Sequence, residues 1–305
     1  MTKIDICICT YKRPKLLTAC LQSLVDVVVP SGTEVTVTVI DNDQTRSAEA
    51  LVIGQTGTFP FKLYYHCESR RGIPCARNRA IEETHRLGSN YLVFIDDDEW
   101  VEPLWLDILY RYCQNQGGDI VVSGNVISEF SDETPEYIQR LFNRKQQPTG
   151  TQLSRCATNN VIIPIHVTKS LGLKFDESDL LAGGTDSKFF YAAMKAGVVI
   201  MRCGEALVHE SVPQNRASIR WLSKRKYRGG ITLGELEKQE GRSSLNIITA
   251  SSLKLVIELF TTVTMLLLGK KYKGSKHWLR ACRSLGILFG FFGLKVDSYK
   301  NADGE

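Results

Sequence analysis

The chain has 305 residues, of which 43% are hydrophobic and 23% are charged, and its formal net charge is +5. This composition excludes a disordered chain, a collagen-like repeat and a small disulfide-held scaffold, and the length suits one large α/β domain with an appendage. The whole charge excess falls in residues 243–305, which carry nine Lys and Arg against four Asp and Glu, so a nucleic-acid partner is not expected.

Strand and helix patterns alternate along the first 125 residues. Apolar or β-branched runs that predict strands occur at 4–9, 34–40, 62–66, 91–95 and 119–123. Helical spacing of apolar residues occurs at 16–24, 73–87 and 103–113. This alternation predicts βαβ units, and hence an α/β fold with a mostly parallel sheet flanked by helices.

The second half of the chain has a weaker pattern. Residues 131–154 are polar and predict a loop with a short helix, and residues 157–164 predict a strand. Residues 183–186 (GGTD) lead into a predicted helix that ends near 197. Residues 216–228 carry six basic side chains and no acid, which indicates either a phosphate-binding helix or a solvated helix face.

The nine cysteines are an odd number, and none of them has CxxC spacing. Cys7 and Cys9 alternate within an apolar run, where reduced cysteine acts as a small hydrophobic side chain. The N-terminal residues lack the apolar core of a signal peptide. We therefore expect a reduced, cytoplasmic protein without a structural zinc site.

Polar residues follow three predicted strands at the point where each strand ends. They are Thr10-Tyr11, Asp41 and the acidic block 96–99 (DDDE). Ligands of open α/β sheets bind at the carboxyl edge of the strands, so these residues predict one common site. The chain has neither GxGxxG nor GxxxxGK[ST], which disfavours a dinucleotide oxidoreductase and a P-loop NTPase.

The acidic block after the strand 91–95 indicates a divalent-metal site. Adjacent carboxylates repel one another unless a cation or solvent offsets their charge, and carboxylate oxygens are preferred ligands of Mg²⁺ and Mn²⁺. Mg²⁺ normally keeps phosphate oxygens and water in its shell, so this type of site suits a nucleotide. A solvated acidic turn is the alternative interpretation.

Four motifs together resemble those of the family 2 glycosyltransferases. They are residues 8–14 (ICTYKRP), 39–42 (VIDN), 77–78 (RN) and 96–98 (DDD), in the same order and with similar spacing. The resemblance covers residues 3–230 and implies a GT-A fold, in which 96–98 is the metal-binding DxD motif. The segments ICTYKRP, ARNRAI and FIDDDE are most similar to bacterial glucosyltransferases of succinoglycan-type exopolysaccharide assembly.

The resemblance also implies roles for the nucleotide-sugar residues. Thr10 and Tyr11 would frame the nucleotide base, and Asp41 would accept the hydrogen of uracil N3. Arg77 would lie beside the diphosphate, where its guanidinium can donate charge-assisted hydrogen bonds. A surface helix arginine is the alternative for Arg77.

The remaining roles concern metal binding and catalysis. Asp98 would bind Mn²⁺ or Mg²⁺, and the triple Asp leaves open whether Asp96 or Asp97 contacts the ribose or the metal through water. Asp186 would be the general base, although an acid stabilised by the helix dipole is the alternative. His209 would be a third metal ligand or a phosphate contact, and an ordinary surface or core histidine is the alternative.

The C-terminal segment predicts an association with a membrane. Residues 247–268 are apolar except for Lys254, Glu258 and a few hydroxyl side chains, and a Lys/Arg cluster follows at 270–283. The run is long enough to span a bilayer, but the two charges favour a helix that lies in the interface. Packing against the catalytic core is the third possibility. The basic cluster predicts the anionic cytoplasmic face of the inner membrane, with the protein peripherally attached.

These observations predict two regions. Residues 1–230 would form a GT-A catalytic domain, with a nucleotide-sugar half (1–125) and an acceptor half (126–230), and residues 231–305 a helical, basic and apolar region associated with the membrane. The expected function is an inverting transfer of a sugar from a UDP-sugar to a glycan or a lipid-linked oligosaccharide. A sugar-1-phosphate nucleotidyltransferase and a non-catalytic membrane-surface assembly protein are the alternatives.

Overall fold

One eight-stranded sheet runs through the computed structural model, which describes residues 1–142, 146–178, 180 and 183–294. The strands are β1 (Thr2–Thr10), β2 (Thr33–Asp41), β3 (Lys62–Cys67), β4 (Tyr91–Asp96), β5 (Glu99–Val101), β6 (Val121–Glu129), β7 (Val161–Pro164) and β8 (Ile200–Ser211). The helices are α1 (Pro14–Leu24), α2 (Glu49–Gln55), α3 (Ile73–Arg86), α4 (Trp105–Asn115), α5 (Glu136–Phe142), α6 (Ile165–Lys169), α7 (Thr185–Lys195), α8 (Ile219–Gln239), α9 (Ser244–Leu267) and α10 (Lys271–Phe291).

The strand order is β3-β2-β1-β4-β7-β6-β8-β5. The pairs β1–β2, β1–β4, β2–β3 and β6–β8 are parallel, whereas β7 is antiparallel to β4 and β6, and β5 is antiparallel to β8. The predicted α/β fold with a mostly parallel sheet is therefore confirmed. Its central strands are covered by helices on both faces, which explains why they read as nearly continuous apolar runs.

The core lies on both faces of β1. Ile4, Ile6 and Ile8 contribute to one cluster, which includes the fully buried Trp105 of α4. Cys7 belongs to the cluster on the other face, with the residues of α3 and α7 that pack there. Successive side chains of a strand point to opposite faces, so this one short run anchors both helical layers.

Three neighbouring parallel strands end at the same edge of the sheet. In the register of the sheet, Thr10 of β1 lies beside Asp41 of β2, and Cys9 of β1 lies beside Asp96 of β4. The polar residues that follow these strands are therefore brought together by strand pairing alone. This edge is the place at which a ligand site is expected in an open α/β sheet.

Helices α8 and α10 pack against each other through two GxxxG segments. Gly230 and Gly234 of α8 face Gly286 and Gly290 of α10, and a Cβ atom on any of these four glycines would overlap backbone atoms of the opposite helix. Small residues at this spacing allow two helix backbones to approach closely. The predicted boundary at residue 230 falls inside α8, so this helix continues from the catalytic part into the C-terminal part.

Helix α9 packs on α10 and exposes a large apolar surface. Its side chains that are at least 39% exposed include Leu245, Leu253, Val256, Ile257, Leu259, Phe260, Val263, Leu266 and Leu267. Glu258, one of the two charges in this apolar run, pairs with His277 and Arg280 of α10. By length and composition, α9 is one helix among the described residues that could cross a membrane, and only 11% of its most apolar window is buried.

Candidate active site

A cavity of about 630 Å³ lies at the carboxyl edge of β1 and β4. Seven of the nine predicted site residues line this cavity: Thr10, Tyr11, Arg77, Asp96, Asp97, Asp98 and Asp186. The other two, Asp41 and His209, do not line it. Residues from α8 and α10 complete the wall opposite the sheet. The cavity therefore joins the predicted nucleotide-sugar half to the predicted acceptor half.

One end of the cavity is formed by the turn after β1. Two cations lie near the Tyr11 ring, with the guanidinium carbon of Arg71 5.0 Å and the ammonium of Lys12 5.5 Å from its centroid. Asn42 also lines this end, and it is held in place because its amide donates to the carbonyls of Glu68 and Arg70 and its oxygen accepts from the Gly72 N–H at 2.7 Å. This end of the cavity therefore offers an aromatic ring with positive charge beside it.

Asp41 is completely buried behind this end of the cavity. Its carboxylate accepts hydrogen bonds from the N–H of Ala48 at 2.8 Å, the N–H of Asp43 at 3.1 Å and the hydroxyl of Tyr65 at 3.0 Å. Burial raises the pKa of Asp41, and these hydrogen bonds oppose that effect. In this structure Asp41 organises the loop after β2, and the neighbouring Asn42 is the residue that reaches the cavity.

The triple Asp is held in place by residues from the turn after β1 and from the segment before α8. Asp97 accepts a hydrogen bond from the Thr10 hydroxyl at 2.8 Å and pairs with Arg13 at 3.0 Å. Asp98 lies 3.5 Å from Arg13 and 3.3 Å from Arg216. Asp97 and Asp98 therefore both pair with arginines, Asp97 has the additional bond from Thr10, and all three acids line the cavity.

The acidic block carries more negative charge than its arginines neutralise. Burial raises the pKa of Asp96 to about 7, against the attraction of Arg77, and the neighbouring acids add to the increase. Burial likewise raises the pKa of Asp97 to about 6. It also raises the pKa of Glu99 well above its usual range, although Glu99 accepts from the Asp96 N–H and the Asn159 amide, each at 2.9 Å. Such a group of acids attracts a cation.

The donor set fits a divalent cation that arrives with a phosphate ligand. Among the described residues, no group of three or more His, Cys, Asp or Glu side chains is arranged to hold a metal ion. Nucleotide-associated Mg²⁺ is commonly held by only one or two carboxylates and takes its other ligands from phosphate and water. Asp96 and Asp98 supply hard oxygen donors of this kind at the wall of the cavity.

Asp186 lies at the opposite side of the cavity, in the first turn of α7. The chain enters this helix through Gly184 with φ of +88°, and a Cβ atom there would overlap the Thr232 side chain. The Asp186 carboxylate forms an ion pair with Arg77 and accepts from the Thr158 hydroxyl at 3.2 Å and the Thr158 N–H at 3.3 Å. A carboxylate is thus presented to the cavity beside a guanidinium.

His209 is not among the residues that line the cavity. It lies on β8, and its ring nitrogens contact Glu129 at 2.9 Å and Glu102 at 3.1 Å while the ring stacks on Trp100. The next residue, Glu210, is the one that lines the cavity. Because side chains alternate along a strand, His209 points to the other face of the sheet.

Sequence reasoning missed several residues of the wall opposite the sheet. These residues are Arg155, Trp221, Arg225, Lys226 and Arg283. Four of them are basic, and Arg225 lies 5.2 Å from the centroid of the Trp221 ring. The basic run at 216–228 was a usable signal for part of this wall, but Arg155 and Arg283 are brought to it only by the tertiary fold.

Comparisons with known proteins agree on the family. The model of the family described as glycosyl transferase family 2 matches residues 5–174, more than half of the chain. Succinoglycan biosynthesis protein ExoM of Rhizobium meliloti (strain 1021) is 34% identical over 303 residues, which cover 97% of this chain and 95% of ExoM.

Solved structures with the same architecture include S. aureus TarS 1-349. Its complex with UDP has a TM-score of 0.55 at 13% identity and covers 96% of this chain and 91% of that chain. Its complex with UDP-GlcNAc has a TM-score of 0.54 at 13% identity and covers 92% of each chain. The predicted GT-A fold is therefore confirmed. From the family match and the full-length relative, the chain belongs to glycosyl transferase family 2 and is a glycosyltransferase.

Proposed function

We propose that this enzyme transfers a sugar from a UDP-sugar to a lipid-linked oligosaccharide during the assembly of a bacterial exopolysaccharide. The observation that carries the proposal is the cavity itself, in which a paired set of acids at one strand end faces Asp186 at the start of α7. The name of the full-length relative refers to succinoglycan biosynthesis. TarS has been solved with UDP and with UDP-GlcNAc, which supports a uridine nucleotide donor.

In this proposal the nucleotide base stacks on Tyr11, and the diphosphate lies between Arg71 and Arg77. Both arginines line the same cavity as the acidic block. Asp98 and Asp96 would hold Mn²⁺ or Mg²⁺, which stabilises the negative charge on the departing diphosphate when it is bound. Thr10 and Arg13 bond to Asp97, and these contacts fix the turn that also carries Asp96 and Asp98.

Asp186 acts as the general base of a single displacement. It removes the proton of an acceptor hydroxyl, the acceptor oxygen forms a bond to the anomeric carbon, and the bond from that carbon to UDP breaks on the opposite face. An α-linked donor therefore gives a β-linked product. The ion pair with Arg77 and the contacts with Thr158 hold the Asp186 carboxylate in position at the cavity.

The test separates donor binding from transfer in two variants. Asp98→Asn should lose the Mn²⁺-dependent binding of UDP in calorimetry. Asp186→Asn should keep this binding and lose transfer by about 10²- to 10⁴-fold, the usual contribution of a general base. Asp119→Asn is the control, since its side chain is 90% exposed and lies outside the cavity. Full activity of Asp186→Asn, or pyrophosphate instead of UDP as the released product, would contradict the proposal.

We also propose that the enzyme attaches peripherally to the anionic cytoplasmic face of the inner membrane through α9. The apolar surface of this helix is exposed, and α10 beside it carries Lys271, Lys273, Lys276 and Arg280. An apolar face flanked by cations is the pattern of a helix that lies in the membrane interface. This placement brings the cavity close to acceptors that are anchored in lipid.

A further inference from the structure

The cavity carries more positively charged side chains than the binding of one nucleotide diphosphate requires. Nine Lys and Arg residues line it, against five Asp and Glu residues. Three of the arginines are paired with cavity acids: Arg13 with Asp97 and Asp98, Arg77 with Asp186, and Arg216 with Asp98. The other basic residues of the lining include Arg155 and Arg283.

Two arginines that line the cavity, Arg155 and Arg283, are far apart in the sequence but close enough in the fold to interact electrostatically. No ion pair of either guanidinium with an acid is present in the described part of the chain. Partial burial and, next, the positive charge of Arg155 lower the pKa of Arg283, while the negative charge of Glu237 opposes this effect. Two guanidinium groups that repel each other at the wall of one cavity are stabilised by an anion that binds to both.

Each arginine lies in a segment that connects to another part of the proposed reaction. Arg155 precedes Thr158, whose hydroxyl and N–H both contact the proposed base Asp186. Arg283 belongs to α10, which packs on α8 through the GxxxG contact and also packs on α9. A group bound by both arginines would therefore contact the segment that holds Asp186 and the helix that supports α9.

We propose that Arg155 and Arg283 form a second anion subsite, which holds the phosphate groups that join the acceptor saccharide to its lipid. The inference rests on the proposed function, because it names the part of the acceptor that this cavity recognises. Arginine suits this task because its planar guanidinium forms two parallel hydrogen bonds to a phosphate. The lipid chain would leave the cavity along α9, and the saccharide would extend toward Asp186.

The test measures a second ligand on an enzyme that is already saturated with UDP and Mg²⁺. Farnesyl diphosphate serves as the lipid diphosphate probe, and its binding is followed by calorimetry. The wild-type enzyme should bind it in the presence of UDP, and Arg155→Ala and Arg283→Ala should each weaken this binding by about tenfold, since hydrogen bonds to charged groups are lost. The affinity for UDP should change less than about twofold, because the donor phosphates are held elsewhere.

The matched control is Arg111→Ala, which removes the same charge from an exposed position outside the cavity, where Arg111 pairs with Asp107. It should bind farnesyl diphosphate like the wild type, and Arg283→Lys should recover part of the lost affinity. Unchanged binding in Arg155→Ala and Arg283→Ala, an equal loss in Arg111→Ala, or equally tight binding of farnesol would overturn the subsite.

Two further arms identify the source of the phosphate. In the first, vesicles of phosphatidylglycerol are added to the complex with farnesyl diphosphate. If they displace farnesyl diphosphate from the wild-type enzyme and do not bind Arg155→Ala, the cavity binds a lipid headgroup, and the acceptor assignment is overturned. A wild-type enzyme that does not bind UDP would overturn the proposed function itself. Normal UDP binding without any binding of farnesyl diphosphate would overturn the subsite alone.

Discussion

Asp96 is the residue whose protonation should govern metal binding near neutral pH. Its pKa is raised to about 7 by burial, so the side chain is largely neutral at pH 6 and largely ionised at pH 8. A metal ion binds the ionised form, and each bound ion then releases up to one proton below pH 7. Without metal, the folded state keeps the Asp96 proton up to a higher pH than the unfolded state does. The free energy of unfolding therefore falls as the pH rises from about 4 to about 7.

We therefore expect the affinity for Mn²⁺, measured by calorimetry with saturating UDP, to rise by about fivefold from pH 6 to pH 7, by about tenfold from pH 6 to pH 8, and to level off above pH 8. Asp96→Asn should remove most of this pH dependence. The exposed Asp119→Asn variant should follow the wild type. A pH dependence that survives in Asp96→Asn would assign the titration to another group.

At the same scale, Asp41 and His209 show what the sequence cannot resolve. Asp41 ends β2 and His209 lies within β8, yet in each case the adjacent residue, Asn42 or Glu210, is the one that lines the cavity. Side chains alternate across a strand, so a shift of one residue in where the strand ends reverses the face that a side chain occupies. The spacing of motifs predicts which part of the fold a residue occupies, whereas local twist and hydrogen bonds determine where its side chain points.

At the scale of single elements, the contact between α8 and α10 is the one that shapes the basic wall of the cavity. A Cβ atom on Gly286 would overlap the carbonyl oxygen of Tyr227. We expect Gly286→Ala to lower the free energy of unfolding by about 1–3 kcal/mol, because the two backbones must move apart. It should also weaken binding of farnesyl diphosphate, since Arg283 moves with α10.

Gly229→Ala is the control for this prediction, because Gly229 precedes Gly230 in α8 and a Cβ atom added to it would meet no other part of the chain within 4 Å. Alanine there should raise the helix propensity and leave stability equal or up to about 1 kcal/mol higher. Urea unfolding followed by circular dichroism measures both variants. Equal stability of Gly286→Ala and Gly229→Ala would contradict the close packing of α8 on α10.

The elements that could be read from the sequence are those with a strong and simple pattern. The central strands and α3 agree with their predicted bounds to within a few residues, because buried parallel strands are apolar runs and α3 has clear helical spacing. The predicted strand 157–164 begins only at Val161. Before it, Thr158 and Asn159 bond to the acids Asp186 and Glu99 through their side chains, which favours a loop. The GxxxG segments were present in the sequence but carry meaning only once two helices are known to meet.

At the scale of the whole molecule, the exposed face of α9 should determine where the enzyme resides. Ile257 of α9 and Ile53 of α2 are both 53% exposed, so they form a matched pair of exposed isoleucines on helices. We expect Ile257→Glu to weaken binding to phosphatidylglycerol vesicles by about tenfold or more, because it removes buried apolar area and adds a repelled charge. Ile53→Glu should leave vesicle binding unchanged in a flotation assay.

An equal loss of vesicle binding in Ile257→Glu and Ile53→Glu would contradict the assignment of α9 as the surface that contacts the membrane. Binding of UDP with Mn²⁺ should be normal in both, since neither residue lines the cavity. Raising the salt concentration should weaken vesicle binding of the wild type, because the cations of α10 contribute through screened electrostatic attraction.

Helix α9 packs mainly against α10, so its outer face is separate from the sheet and from the reacting groups. Substitutions on that face should therefore alter the proposed attachment to lipid while transfer to an acceptor dissolved in water continues at the normal rate.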